Sequence, residues 1–288
     1  QRATSVTGLG AANGYFTVDR WQIATGNSAG RFTMTQTADG PNGISANCIK
    51  LDCTTADTSI GTSEYLLLEY RIEGQDVQRI KKGTSDAEEI TISFYVKANA
   101  SFNFVLEVLD ATNNRACSKL FSTTTGWNRV EITYPADTTG EIVNSNAQGI
   151  RLFFWLHAGS TFTSGALNSS SFNSQTASKR ASGISSFYSS TNNEFYLTGV
   201  QMEVGDTATD FEHRMIGEEL AACQRYFQVL GGTGNNYPLA SGFTSTSGFF
   251  GYGKLIRTMR GSPSFSHSGS ASHFSYTHAA VAANASSS

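Results

Sequence analysis

Apolar and polar residues alternate with a period of two in four segments between Ile90 and His157. Successive side chains of a β-strand point to opposite faces, so each segment is predicted to be a strand with one buried face. Strands of this kind without intervening helices indicate antiparallel sheets packed as an all-β sandwich. The predicted inward-facing residues are Ile90, Ile92, Phe94, Val96 and Ala98; Phe102, Phe104, Leu106 and Val108; Val130, Ile132 and Tyr134; and Ile150, Leu152, Phe154 and Leu156.

The charge and hydropathy of the chain exclude two classes of partner. The net charge is −3, and the one basic cluster, around Lys81, is followed directly by acidic residues, so we expect no nucleic-acid partner. No apolar run reaches the roughly 18 residues that a membrane-spanning helix needs, so we expect no membrane insertion. The sequence begins at Gln1 rather than Met and shows no signal-peptide pattern, and we expect a piece with trimmed ends.

The cysteines and histidines predict no metal site and no cofactor. Cys48, Cys53, Cys117 and Cys223 lack the close spacing of a zinc site and are interpreted as small buried hydrophobes. Cys48 and Cys53 end one predicted strand, which holds them too far apart for a disulfide. The histidines at positions 267, 273 and 278 have spacings that suit no helix face, so they are interpreted as surface residues.

A long polar segment covers residues 158–193. Loops longer than about 15 residues are uncommon in compact domains and are often functional or mobile. The segment is too polar to be predicted as part of the core. Two interpretations remain open, a mobile surface loop and a binding loop.

A short helix is predicted within residues 213–228. Ile216, Leu220, Cys223 and Phe227 form one narrow apolar stripe at helical spacing. A helix this short is marginal alone, so its stripe is expected to pack on the sandwich or on copies of itself. The tail, residues 229–288, is polar, and its segment FFGYGKLIRTMRGSPSF is predicted to supply two strands. Self-association would help such a tail bury enough surface.

Several segments resemble one family. GVQMEVG (Gly199 to Gly205), ATDFEHR (Ala208 to Arg214) and ELAACQRYF (Glu219 to Phe227) are similar to a strand, link and helix of bacteriophage tail-fibre and related virion proteins of the marine phage type. TVDRWQI, YRIEGQDVQRIKKGTSDAEEITISFYVKA and TTTGWNRVEITYPAD resemble the same family in the same order. The stretch KLIRTMRGSPSF, from Lys254 to Phe265, resembles the family's strand after the helix.

The resemblance implies an antiparallel jelly-roll sandwich in residues 1–212, similar to a carbohydrate-binding module. It also implies a connector helix in residues 213–228 and a small distal β region in residues 229–288. A homotrimeric virion appendage, in contact with other virion proteins and attached to a host-surface glycan, is the implied assembly. The helix would then join three copies below the sandwich. The alternative is a capsid-decorating or neck fibre that makes only protein contacts.

Glycan binding is predicted for the face opposite the buried one, where aromatic rings and charges alternate. Aromatic rings pack against the C–H faces of sugars, while amides and charges bind their hydroxyls. The alternative is that Phe153 and Trp155 are covered by the long segment or by a neighbouring subunit. Trp21 and Trp127 are interpreted as core residues. The candidate glycan-binding residues are Tyr95, Lys97, Glu107, Arg151, Phe153, Trp155 and His157.

Enzymatic activity is not predicted. A glycosidase needs two carboxylates held about 5–10 Å apart, one of them with a raised pKa. Glu69, Glu73, Glu107 and Asp110 are available, but their spacing singles out no pair. No nucleophile-elbow or zinc-protease motif occurs. A polysaccharide-degrading tailspike therefore remains the weaker alternative to a non-enzymatic adhesive protein.

Overall fold

A computed structural model describes residues 2–229, 241–245, 248–252 and 254–264. The chain divides into two compact units, Gln1–Glu219 and Leu220–Ser288. The first unit contains the predicted sandwich and the start of the predicted helix. The predictions for the three tail histidines lie outside the described residues.

The secondary structure of the described residues is dominated by strands, with two short α-helices and four 3-10 helices of three residues each. The α-helices are α1 (Ser160–Thr163) and α2 (Ile216–Gln224). In chain order the strands are β1 (Ser5–Leu9), β2 (Trp21–Gly26), β3 (Arg31–Thr37), β4 (Cys48–Thr55), β5 (Tyr65–Glu73), β6 (Ile90–Ala98), β7 (Asn103–Asp110), β8 (Arg115–Ser122), β9 (Asn128–Tyr134), β10 (Gln148–Ala158), β11 (Asn173–Ser174), β12 (Glu194–Val204), β13 (Ser241–Ser245) and β14 (Gly248–Tyr252).

Two antiparallel sheets of six strands form the first unit. The first sheet has the order β1-β3-β4-β12-β6-β9, and the second sheet has the order β11-β8-β7-β10-β5-β2. The chain passes from one sheet to the other at several points, for example from β4 to β5 to β6 to β7. This arrangement is an all-β jelly-roll sandwich, and it confirms the predicted fold class.

The inward-facing residues of the predicted alternation meet between the two sheets. Phe94 of the first sheet packs edge-on against Phe121 and Phe154 of the second, with ring centroids 5.1 and 5.2 Å apart. Phe94 and Phe154 are fully buried. Burying a side chain of this size contributes about 1.5–3 kcal/mol, so this contact is a large part of what holds the sheets together.

The cysteines follow the prediction in three of four cases. Cys48, Cys53 and Cys117 are buried without a disulfide partner, and burial raises the pKa of each thiol to about 11. These thiols are therefore protonated at neutral pH and weakly reactive. Cys223 is only partly buried, which corrects its interpretation as a small buried hydrophobe.

Residues 158–193 fold against the sandwich. Phe172, Ala181, Phe187 and Tyr188 are buried. Backbone hydrogen bonds tie the segment to itself, as from Gly165 to the carbonyl of Ser178 at 2.8 Å. The interpretation of this segment as too polar to join the core is wrong, because these four residues reach buried positions and Phe162, Leu167 and Ile184 pack partly buried against the outer face of the second sheet.

One end of the sandwich is held by a buried ion network around Lys82. The Lys82 ammonium lies 2.6 Å from Asp110 and 3.0 Å from Asp137. It also donates to the carbonyls of Thr139 and Gly140 at 2.7 and 2.9 Å. The ammonium is thus surrounded by four oxygens from the end of β7 and from the segment after β9.

The backbone around Lys82 is shaped to reach those oxygens. Lys81 has a left-handed conformation with φ 52°, and Gly83 follows with φ 87°. A Cβ on Gly83 would lie 2.4 Å from the backbone nitrogen of Glu141. A glycine is therefore required where this turn touches the neighbouring segment.

The second unit and α2 agree only in part with the prediction. Ile216 and Leu220 are 84% and 54% exposed, whereas Cys223 and Phe227 are partly buried. Phe227 lies beyond the last residue of α2, which is shorter than the predicted helix. The predicted tail strands are half right, because β14 lies in the expected stretch but pairs with the upstream β13. Residues 254–264 contain no strand.

The Lys82 network predicts a large loss of stability for Lys82→Ala. Removing one partner of a buried ion cluster leaves uncompensated charge, so we expect the free energy of unfolding to fall by about 3–5 kcal/mol. Urea unfolding followed by circular dichroism measures this change. Lys81→Ala is the matched control, because the Lys81 side chain is 51% exposed and pairs with exposed Glu88. That variant should lose much less stability, because water screens an exposed ion pair. Equal losses in the two variants would contradict the network's role.

Candidate functional site

The seven predicted glycan-binding residues lie on opposite sides of the sandwich. Glu107, Arg151, Phe153 and Trp155 belong to β7 and β10 and face outward from the second sheet, whereas His157 follows a register shift in β10 and is paired with the core residue Leu66. The remaining two, on β6, face outward from the first sheet. Grouping all seven on one face is therefore corrected: β6 and β7 follow each other in the chain but cross between the sheets.

Lys97 lies among aromatic rings and an acidic side chain on the first sheet. Its ammonium is 4.5 Å from the centroid of Tyr196, 5.2 Å from that of Trp127 and 2.7 Å from Asp39. Trp127 is partly exposed on this outer face, which corrects its interpretation as a core residue. Tyr95 is also partly exposed there. Lys97 therefore lies over the rings of Trp127 and Tyr196, where a sugar ring would have to stack.

Phe153 and Trp155 form a second apolar cluster outside the main core. They are 2% and 1% exposed, because residues 158–193 pack over them. Phe162 of α1 lies 5.2 Å from the ring of Trp155, and Ala181 is buried beside it. The structure thus agrees with the alternative interpretation of the sequence, in which the long segment covers Phe153 and Trp155. In this structure neither ring presents a face on which a sugar could stack.

Glu107 is the charged centre of this covered region. Its carboxylate is fully buried and accepts hydrogen bonds from Arg180 at 2.9 and 3.0 Å and from the indole of Trp155 at 2.7 Å. Gln175 donates to the same carboxylate at 3.4 Å. Arg180 also stacks over Trp155, with its guanidinium 4.7 Å from the ring. Glu107 therefore fixes the covering segment on the sheet.

His157 is buried in a separate polar contact. One ring nitrogen lies 3.2 Å from Glu64, and the other lies 2.8 Å from the hydroxyl of Ser186. Burial lowers the pKa of His157, and this effect outweighs the neighbouring Glu64 carboxylate, which raises it. The imidazole is thus neutral at pH 7, and its contacts tie the segment to β10 rather than bind a ligand.

A polar cleft of about 360 Å³ opens beside this region. Its floor is the outer face of β7 and β8, and its walls come from residues 168–180. The floor residues are buried, so the accessible groups are mainly the amides, hydroxyls and cations of the walls. The lining residues are Glu107, Ala116, Ser118, Asn168, Asn173, Ser174, Gln175, Thr176, Lys179 and Arg180.

Local hydrogen bonds hold the cleft walls in place. Asn168 donates to the carbonyl of Ala116 at 2.6 Å and accepts from Asn173 at 2.9 Å. The two-residue strand β11 pairs with β8 through Asn173 and Ser174. The backbone of Gln175 donates to Asn114 at 2.9 Å. The walls are therefore attached to the edge of the second sheet, which gives the cleft a defined shape.

The chemistry of the cleft suits recognition of hydroxyl groups. Amides, hydroxyls and charged groups in a concave site orient a polar ligand through hydrogen bonds. The cleft contains one carboxylate, Glu107, and it is occupied by Arg180. Another buried carboxylate on this face is Glu69. Burial would raise its pKa, but hydrogen bonds from Arg151 and Arg71 outweigh this and lower the pKa below its ordinary value. A glycosidase acid needs the opposite shift.

Sequence reasoning missed most residues of the cleft. Only Glu107 was among the candidates, because the others lie in or beside the long segment without any strand periodicity. The length of that segment and its richness in amides and hydroxyls were the available signals. They favoured a binding loop as one of two interpretations but did not identify Asn173, Gln175 or Arg180.

Within residues 2–229 and the described parts of the tail, no group of three or more His, Cys, Asp or Glu side chains is placed to hold a metal ion. No helix among the described residues is long and apolar enough to span a membrane.

No protein-family model matches the chain, and no curated protein matches it. Among solved structures, one described as "CBM4 structure and function" is 14% identical in sequence to this chain, with a TM-score of 0.36. The match covers 65% of this chain and 87% of that one. The enzymatically active domain of bacteriophage CBA120 tailspike protein 4 is 12% identical, with a TM-score of 0.35 and coverages of 64% and 19%. TmCBM61 in complex with beta-1,4-galactotriose is 10% identical, with a TM-score of 0.33 and coverages of 64% and 88%. Likenesses this low assign neither a ligand nor a binding residue to this chain.

The burial of Trp155 predicts a structural effect of its removal. Trp155→Ala leaves a cavity and removes a donor from Glu107, so we expect the free energy of unfolding to fall by about 3–5 kcal/mol. Guanidinium unfolding followed by far-ultraviolet circular dichroism measures it. Trp127→Ala, at a partly exposed ring, serves as the control and should cost clearly less. A Trp155→Ala variant within about 1 kcal/mol of the native protein would show that the indole is not packed as described.

Proposed function

We propose that the protein is a non-enzymatic adhesive protein whose sandwich binds a glycan in the polar cleft. The observation that supports this most is the cleft itself, with accessible amides, hydroxyls and cations on walls attached to the second sheet. A cavity of about 360 Å³ is comparable with small-ligand sites and accommodates one or two sugar units. In this proposal the ligand is held by hydrogen bonds rather than by ring stacking.

Binding without cleavage is favoured by the state of the carboxylates. Glu107 is engaged by Arg180 and Trp155, and the pKa of Glu69 is lowered. Glu69 therefore lacks the raised pKa that a glycosidase acid needs. In this proposal Phe153 and Trp155 do not stack on a sugar but pack beneath the cleft floor, where Trp155 donates to Glu107.

The proposal places the protein on a bacteriophage virion, as part of a tail fibre that attaches to the host surface. This rests on the resemblance of the segment from Gly199 to Phe227. It also includes a homotrimer joined through α2, with other virion proteins as partners. The exposure of Ile216 and Leu220 supports this part, because an apolar stripe of a short helix needs a surface to cover it.

Glycan binding in the cleft is tested with the double variant Asn173→Ala and Gln175→Ala. Each lost hydrogen bond costs about 0.5–1.5 kcal/mol, so we expect roughly tenfold weaker binding. Affinity electrophoresis measures it against galactan, mixed-linkage glucan, dextran and polygalacturonate. Asn192→Ala, at an exposed asparagine outside the cleft, should bind like the native protein. Equal binding by the double variant would exclude the cleft, and no binding to any polymer would refute the glycan proposal.

The assembly is tested by light scattering at low micromolar concentration. We expect a mass three times that of the 288-residue chain, and Leu220→Asp should reduce it because a charge then lies in the apolar stripe. Val143→Asp changes another exposed apolar residue, 59% exposed on the sandwich, and should leave the trimer intact. A stable monomer would contradict the trimeric fibre while leaving glycan binding by the sandwich open to its own test.

A further inference from the structure

Two buried carboxylates flank one ring on the outer face of the second sheet. Phe153 of β10 is in register with Glu69 of β5 on one side and with Glu107 of β7 on the other. Both glutamates are fully buried. Taking a carboxylate out of water costs several kcal/mol, and apolar residues would often stabilise such a position as well or better. The stability of the sandwich alone therefore does not explain why two carboxylates are buried at this place.

The buried glutamates instead hold arginines in fixed positions. Glu69 accepts hydrogen bonds from Arg71 at 2.5 Å and from Arg151 at 2.6 Å. Glu107 holds Arg180 in the same way at 2.9 Å. Three guanidinium groups are thus fixed along the outer face, which removes most of the cost of ordering them when a ligand binds.

The arginines form a continuous strip beside the cleft. Arg151 and Arg180 both stack on Phe153, with their guanidinium carbons 4.6 and 5.4 Å from the ring centroid. Arg180 is also a wall of the cleft. We refer to Arg71, Arg151 and Arg180 as the arginine strip. Through the ring of Phe153, it extends the cleft toward β5.

The arginine strip retains positive charge and free donors. Arg71 and Arg151 both bind Glu69, whose single negative charge balances only one of the two positive charges. Glu73, further along β5, is buried and accepts from Gln75 at 2.8 Å. In this region four cations, the three arginines of the strip and Lys179 of the cleft, face three anions. The anions are Glu69, Glu73 and Glu107, so the region has an excess of one positive charge in a chain of net charge −3. Within the described residues, the terminal nitrogens of Arg151 donate to no protein acceptor, and its side chain is 24% exposed.

We propose that the arginine strip binds an anionic group of the glycan held in the cleft, so that the ligand class is an acidic polysaccharide carrying carboxylate or sulfate groups. This rests on the proposed glycan-binding function and adds the substrate class. Guanidinium groups match the planar oxygen pairs of carboxylates and sulfates and bind them through paired hydrogen bonds. The cleft would bind the hydroxyls of one residue, and the strip would bind the charge of its neighbour.

The test compares polymers that share a backbone and differ in charge. Polygalacturonate is compared with its methyl ester, and dextran sulfate with dextran, by isothermal titration calorimetry at fixed ionic strength. We expect one charged polymer to bind at least tenfold more tightly than its uncharged counterpart. The pair that shows the difference distinguishes carboxylate from sulfate. Added salt should reduce the difference, since exposed charges are screened.

Variants then locate the effect in the strip. Arg151→Gln should abolish the preference for the charged polymer. Arg129→Gln removes the same charge from the first sheet, where the side chain is 22% exposed and pairs with Glu131, and should keep the preference. Arg151→Lys retains the charge but loses the planar pair of donors, so an intermediate affinity is expected. If circular dichroism shows that the Arg151→Gln variant is unfolded, the Arg151→Lys variant is used in its place.

The outcomes separate this inference from the proposed function. Equal binding of charged and uncharged polymers, with Arg151→Gln unchanged, overturns the acidic ligand and leaves glycan binding in the cleft. Equal losses in Arg151→Gln and Arg129→Gln show attraction by overall charge and also overturn it. Absence of binding to all four polymers and to the neutral galactan and glucan overturns both.

Discussion

The edge-on packing of Phe94 against Phe154 and Phe121 is the contact on which the rest of the sandwich depends. It joins the two sheets at the centre of the main core. Because side chains alternate along β10, turning Phe154 inward turns Phe153 and Trp155 outward. Those rings are too apolar to remain in water, and residues 158–193 cover them. The cleft exists because this covering segment stands above the sheet at one edge.

Buried charge connects the fold to the proposed function. The carboxylates of Glu69 and Glu107 fix three guanidinium groups on the outer face of the second sheet. Arg180 shows both roles, since it anchors the covering segment and forms a wall of the cleft. A substitution in this region therefore affects folding and binding together, which is why charge-matched controls on the first sheet are informative.

The candidate site was only partly predictable from the sequence. Alternation along β6, β7 and β10 separated inward from outward residues as far as Trp155, but a register shift pairs His157 with the core residue Leu66. Alternation also carries no information on which sheet a strand joins. Residues 99–102 link β6 to β7 as readily across the sandwich as in a hairpin, so Tyr95 and Lys97 were grouped with residues of the opposite face. Asn173, Gln175 and Arg180 carry no periodic signal, because a segment without regular structure is positioned by its contacts.

The amino-acid sequence by itself determined the all-β class and the inner faces of the four alternating segments between Ile90 and Leu156. Those properties follow from side-chain direction, which is local and repeats every two residues. The tertiary structure decided the sheet to which each strand belongs, the covering of Phe153 and Trp155, and the meeting of Glu107 with Arg180. Those properties depend on contacts between residues far apart in the chain, and no local pattern of polarity records them.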